Sequence, residues 1–318
     1  MFRSHSHDAA DSIDSALERT SAGIRATKVG LVGLAVTALA QVVVLMYTGS
    51  TALLADTVHN FSDALTSIPL WIAFVISRRA ANRRYTHGYG RAEDLSGLFI
   101  VAMIALSAVI VGYESLTRLF DPRPIANVGA VLAAGIIGFA GNEAVAAYRI
   151  RVGRRIGSAA LVTDGLHART DGITSLAVVG AALGVMAGLP WADPIVGLLI
   201  TLVILFILRG AALSVYRRLM DAVEPELVDA AEHALVQVPG VEGIDDLRLR
   251  WSGHRLHAEA SIVVAARLSV TDGHLIAVHA HHDLLHAVPQ LINATIHVSP
   301  TPEPAHDPHA LLTHHADR

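Results

Sequence analysis

Two short segments, ADTVHNFSDA at 55–64 and TDGLHARTDG at 163–172, share the spacing Asp-x-x-His-x-x-x-Asp. The first supplies Asp56, His59 and Asp63, the second Asp164, His167 and Asp171. On a helix, a histidine and an aspartate four apart lie one turn apart on the same face. Each segment can therefore present one imidazole nitrogen and one carboxylate oxygen together. Two such helices facing each other would offer an N₂O₂ donor set, which suits a divalent cation in tetrahedral coordination. Two carboxylates also balance a +2 charge, which matters where water is scarce. The chain contains no cysteine but 18 histidines, so any transition-metal site has to use nitrogen and oxygen donors.

The elements that must hold these residues are apolar. Of 318 residues, 53% are hydrophobic and only 16% charged, and the mean hydropathy is +0.48. Ordinary soluble domains carry about 25% charged residues, so a small soluble enzyme is excluded as an account of the whole chain. Six apolar stretches, about 29–49, 51–77, 95–117, 125–148, 157–188 and 193–216, each reach the length that crosses a hydrocarbon core. The two motifs fall in the second and fifth. Ionisable groups inside spans are costly and mark ion or proton pathways. A single one can be a packed structural residue, but six in one spacing on two spans argue for a site.

Arginine placement orients the bundle. Arg78, Arg79, Arg83, Arg84 and Arg91 lie between stretches two and three, Arg149, Arg151, Arg154 and Arg155 between four and five, and Arg217 and Arg218 after six. The links MYTGS and GLPWADP on the other side carry neither arginine nor lysine. The positive-inside rule then places both termini in the cytoplasm. Spans two and five run in opposite directions, as in inverted repeats with a midplane site. Asp56 should lie outward of the His59 pair and Asp164 cytoplasmic of the His167 pair, so these two aspartates are expected to serve the access paths on either side.

Residues 1–27 are polar and read as a cytosolic lead-in, and 28–218 as the transmembrane domain. Residues 221–299 have the composition of a soluble domain. A helix at Glu226–Val238, stopped by Pro239-Gly240, precedes a strand in which Leu247, Leu249 and Trp251 alternate with Arg248 and Arg250. A second strand follows at about 255–264, then a helix that Thr271 could cap, running to about Ala287, and a last strand at Leu291–Val298. This αββαβ order makes a small cytosolic α+β domain. Residues 300–318 form a proline- and histidine-rich tail expected to be disordered, whose His306, His309, His314 and His315 have no fixed geometry for metal. His279, His282 and His286 form a stripe at i, i+3, i+7, as a solvated helix face also would. A net charge of −4 gives no case for nucleic acid.

The paired HxxxD motifs, the THGYGRAED segment before the third span and the α+β tail resemble the cation diffusion facilitator family over about residues 25–300. The resemblance implies six transmembrane helices and a metallochaperone-like, ferredoxin-type cytosolic domain. It also implies a homodimer in the lipid of the cell membrane that exports a divalent metal ion from the cytoplasm in exchange for protons. His59, Asp63, His167 and Asp171 carry over as transport-site ligands, and a two-histidine, two-aspartate set implies Zn²⁺. Related sites handle Co²⁺, Ni²⁺, Fe²⁺, Cd²⁺ or Mn²⁺. The metal is then cargo and no prosthetic group is implied. Asp245, His274 and His297 stand where some members bind regulatory metal, although Ala260 and Ser299 occupy other expected positions. Arg91 and Asp221 match positions that form a charge lock between the two domains. The second-to-third link, NRRYTHGYGRAED, places only His87 suitably, so no metal site is expected there. An intramembrane metal enzyme would need an open coordination position and a general base, and a metal sensor would work through the histidine-rich tail.

Overall fold

The computed structural model describes residues 9–48, 67–120, 128–189 and 191–302. The chain divides into two compact units: Leu17–Met220 with Ser252–His254, and Met1–Ala16 with Asp221–Trp251 and Arg255–Arg318.

The larger unit is helical. Its elements are α1 (Ala9–Thr48) from Leu17 onward, α2 (described over Ser67–Ser77), α3 (Arg91–Phe120), α4 (Val128–Ile156), α5 (Ala159–Met186) and α6 (Ala192–Leu219). Among the described residues, four segments are long and apolar enough to cross a membrane: Glu18–Val44, Arg91–Phe120, Val128–Ile156 and Pro194–Leu219. α5 is equally long but carries Asp164, His167, Arg169 and Asp171. Of the second stretch expected from the sequence, only 67–77 lies within the described residues.

Small residues set the spacing of the helices. A Cβ on Gly135 of α4 would come within 2.5 Å of Val179 Cγ2, and one on Gly165 of α5 within 2.7 Å of Ile150 Cγ1. These glycines let α4 and α5 approach closely, the usual device where lipid removes the hydrophobic drive for helices to associate. The other seam pairs Ile100, Ile104 and Ala108 of α3 with Ile200, Ile204 and Ala211 of α6 in one apolar cluster. α6 keeps Leu199, Leu202, Leu205 and Phe206 exposed, as a lipid-facing surface requires.

Two boundaries differ from expectation. α1 begins at Ala9, well inside the polar lead-in. The helix formers of ADSIDSALERTSAGIRA carry it, and Thr20, Gly23, Ala26, Thr27, Gly30 and Leu34 are buried at helical spacing. α4 runs on to Ile156, through arginines that the sequence assigns to a link.

In the smaller unit, α7 (Pro225–Val236) is followed by β1 (Gly243–Ser252), β2 (Arg255–Val264), α8 (Val270–Ala287) and β3 (Leu291–Pro300). Pro225 stands at the first helical turn of α7, and Gly240 takes φ +95° just beyond its end. The sheet order is β1-β2-β3, with β2 and β3 parallel in register Ala258↔Ala294. α8 is the crossover that a parallel pair needs. Its N-cap is Ser269, whose hydroxyl accepts from the Asp272 amide, not Thr271 as the sequence suggests. Leu235, Trp251, Leu256, Ile262, Leu284 and Leu291 are central to its core. The αββαβ order matches the sequence reading.

Candidate metal centre

α5 is buried on nearly all sides through its first four turns, so its polar residues sit inside protein and not against lipid. His167 is 2% and Asp171 5% exposed. One turn apart, they bring Nδ1 within 3.7 Å of Asp171 Oδ1. Thr170 and Thr174 nearby return their hydroxyls to the helix's own carbonyls, which satisfies them locally. The pair therefore presents a nitrogen and an oxygen donor from one helix face in a closed interior. Its expected counterparts, His59 and Asp63, and the access-path residue Asp56 lie outside the described residues.

Asp164, expected on the cytoplasmic access path, is 1% exposed. Ser67 of α2 donates its hydroxyl to Oδ1 at 3.2 Å, and Arg149 of α4 sets Nη1 3.0 Å from Oδ2. Arg149 is itself 1% exposed. The sequence presents it as one of the link arginines that orient the bundle; instead it lies on the buried stripe of α4 with Asn142, Val145, Ala146 and Gly153. That period is visible in the sequence and marks an arginine that faces inward. Arg151, Arg154 and Arg155 remain outside the buried stripe, so the charge bias of this link persists. Nearby, Arg169 of α5 grips Glu143 of α4 through both Nε and Nη2, a bidentate pairing with fixed geometry.

The THGYGRAED segment contributes buried carboxylates. Glu93 and Asp94 open α3, where acids complement the helix dipole. Within the same unit, His254 Nδ1 stands 2.8 Å from Glu93 Oε2 and its Nε2 3.0 Å from Thr20 Oγ1, and the Gly253 amide donates to Asp94. No motif singles out His254 in the sequence. His87 is exposed in the link, where the Asn82 side chain accepts from the Arg84 and Tyr85 amides. Arg91 donates to the Arg218 carbonyl, and Asp221 follows α6 with φ 56°. The charge lock expected between them would join the two units and stays an expectation. Asp245, His274 and His297 are exposed on β1, α8 and β3. Among the described residues of a single chain, no group of three or more His, Asp or Glu gathers closely enough to hold a metal ion.

Comparison with known proteins matches residues 27–220 to the Cation efflux transmembrane domain and 223–301 to the Cation efflux protein, cytoplasmic domain. A "Probable cation efflux system protein" of Mycobacterium tuberculosis is 58% identical over 300 residues, covering 94% of this chain and 90% of that protein. The Cation-efflux pump FieF of Serratia proteamaculans is 28% identical over 266 residues, with 80% and 88% covered. Among solved structures, a MamM CTD in a nickel form aligns with 25% of this chain and 100% of its own, at 20% identity and a TM-score of 0.24. With both domain models matched in order and a relative this similar along its length, the chain belongs to the cation diffusion facilitator family and is a membrane transporter for divalent cation efflux, not an enzyme.

Proposed function

We propose that the cargo is Zn²⁺, carried out of the cytoplasm in exchange for protons through His59, Asp63, His167 and Asp171. The observation that supports this most is the buried His167–Asp171 pair, whose donors converge from one helix face inside the protein. A matching pair from the second motif would complete a tetrahedral N₂O₂ set, the geometry zinc favours. Imidazole binds metal only without its second proton, so protons and metal compete for the same histidines. Metal loads from near-neutral cytosol, and protons arriving from the more acidic side displace it. Exchange then needs no chemistry beyond access that alternates between the two faces. Asp56 and Asp164 flank the site on the outer and cytoplasmic sides.

The transporter works as a homodimer associated through its α+β domain, in the cell membrane with both termini cytoplasmic. The test is Zn²⁺ uptake into proteoliposomes with and without a pH gradient, alongside Co²⁺, Ni²⁺, Fe²⁺, Cd²⁺ and Mn²⁺. Zinc flux that rises with the gradient supports the reading. Flux indifferent to the gradient removes proton exchange, and a clear preference for another ion removes zinc.

A further inference from the structure

The least expected group in the interior of the helical unit is the Arg149 guanidinium. It is wholly buried, and a charge taken out of water is costly unless it is paired. Its only ion partner among the described residues is Asp164, at 3.0 Å, while its Nε and Nη2 find no hydrogen-bond partner there. The space it occupies is built for it. A Cβ on Gly30 of α1 would collide with Arg149 Nε, so only the absence of a side chain at residue 30 admits the guanidinium. Three helices thus meet at the carboxylate, which α5 carries, α4 faces with the cation and α2 reaches with the Ser67 hydroxyl, while α1 leaves room for the guanidinium.

Asp164 stands three residues before His167, one turn along the same helix. On the reading of Asp171 as a metal ligand, a carboxylate free at this position would add a further anionic donor beside it. Oδ1 accepts from the Ser67 hydroxyl, and Oδ2 lies at ion-pair distance from Arg149 Nη1 without a hydrogen bond of its own.

We infer that Arg149 is a positioning residue that withholds Asp164 from the metal, so that the site binds its cargo loosely enough to release it. This rests on the reading of His167 and Asp171 as metal ligands. Arg149 acts as a tethered cation: it cancels the extra negative charge beside the site without entering the coordination shell. Removing it frees a carboxylate that tightens the site and slows release. Removing Asp164 instead leaves an uncompensated cation that repels the incoming ion. The two single changes therefore move the metal's half-saturation in opposite directions, whereas a purely structural pair would shift both the same way.

The experiment uses the full chain in proteoliposomes, with Zn²⁺ flux giving KM and kcat separately and Zn²⁺ titration calorimetry in detergent giving affinity. Arg149→Gln is expected to lower KM about tenfold, the scale of groups that tune metal ligands, with a comparable fall in kcat. Asp164→Asn should raise KM by a similar factor. The double variant should bring KM back to within about threefold of the starting protein, and Arg149→Lys, which keeps the cation, should hold KM there too. Gly30→Ala crowds the guanidinium without removing it and should move KM in the direction of Arg149→Gln. It also serves where Arg149→Gln fails to fold. Unchanged or raised KM in Arg149→Gln and Gly30→Ala, or a double variant as tight as Arg149→Gln alone, would overturn the inference. An unmodified protein with no saturable metal flux would overturn the metal-site reading itself, which is a separate result.

Discussion

α5 and α8 carry the same local pattern and put it to different use. His167 and Asp171 in α5, and His279 and Asp283 in α8, are both His-x-x-x-Asp pairs on regular helices. In α5 both side chains are buried, and an ion pair and a bidentate Arg–Glu bridge lie on the same helix. In α8 only Gly273, Ala277, Ala280 and Leu284 are buried, and His279 faces solvent. Spacing brings two donors to one face, but it does not make a site. A site also needs enclosure, which removes competing water, and neighbours that balance the charge.

The sharpest way to break this comparison is to make one change in both helices. Asp171→Ala should reduce metal flux by at least about 100-fold, beyond what loss of an outer-sphere group costs. Asp283→Ala should leave flux within about twofold, because its half-buried carboxylate sits on a helix whose face is open to solvent beside it and contributes little. Flux assays on reconstituted protein, with folding checked by gel filtration, decide it. An equal loss in both variants would mean that enclosure is not what distinguishes the helices.

Glycine replacement sharpens the contrast at the level of packing. At Gly165 a new Cβ would meet Ile150 at 2.7 Å for Cγ1 and 3.0 Å for the backbone nitrogen, neither easily moved. Gly165→Ala should cost about 1–3 kcal/mol, as overpacked interiors do. At Gly273 in α8 the nearest atom would be Val298 Cγ1 at 3.5 Å, an ordinary contact. There alanine replaces the poorer helix former, and Gly273→Ala should stabilise its domain by about 0.5–1 kcal/mol. Heat-induced aggregation for the first variant and hydrogen exchange of α8 for the second would show the opposite signs. Destabilisation by both would place α8 in a tighter setting than its contacts indicate.

How far the sequence can be read follows from the same difference. Period-two and period-3.6 patterns mark α7, β1, β2, α8 and β3 within a few residues, because each half-buried element alternates polar and apolar faces. The N-cap of α8 shifts by two residues between sequence and structure because Ser269 and Thr271 carry equivalent hydroxyls, and only backbone geometry separates them. The start of α1 escapes the sequence because its first turns are polar, and polarity is also the mark of a loop. Arg149 is the larger gap: in a membrane protein an arginine after an apolar stretch reads first as an orientation signal. His167, Asp171 and Asp164 are legible because an ionisable residue within an apolar run is costly and survives there for a function. His254 is not, since what pairs with it lies 161 residues away at Glu93.

The smallest expected effect tests whether α8 is as open to solvent as its pattern suggests. His281 is the partly buried member of its histidine run. Burial, and then the neighbouring His282, hold its imidazole below the usual titration range. An imidazole whose pKa is lower in the folded than in the unfolded chain favours folding fully above the unfolded value of about 6.5. That contribution declines as pH falls below this value, because the unfolded chain takes up the proton first. Acidification from about pH 7.5 to about pH 5.5 should therefore lower hydrogen-exchange protection of α8 in the full-length protein. His281→Gln should lose less protection over the same interval, since it shares every other titrating group with the unmodified chain. Equal losses would show that His281 is as freely solvated as the exposed histidines beside it, making α8 more uniformly open than the folded chain indicates and its contrast with α5 wider still.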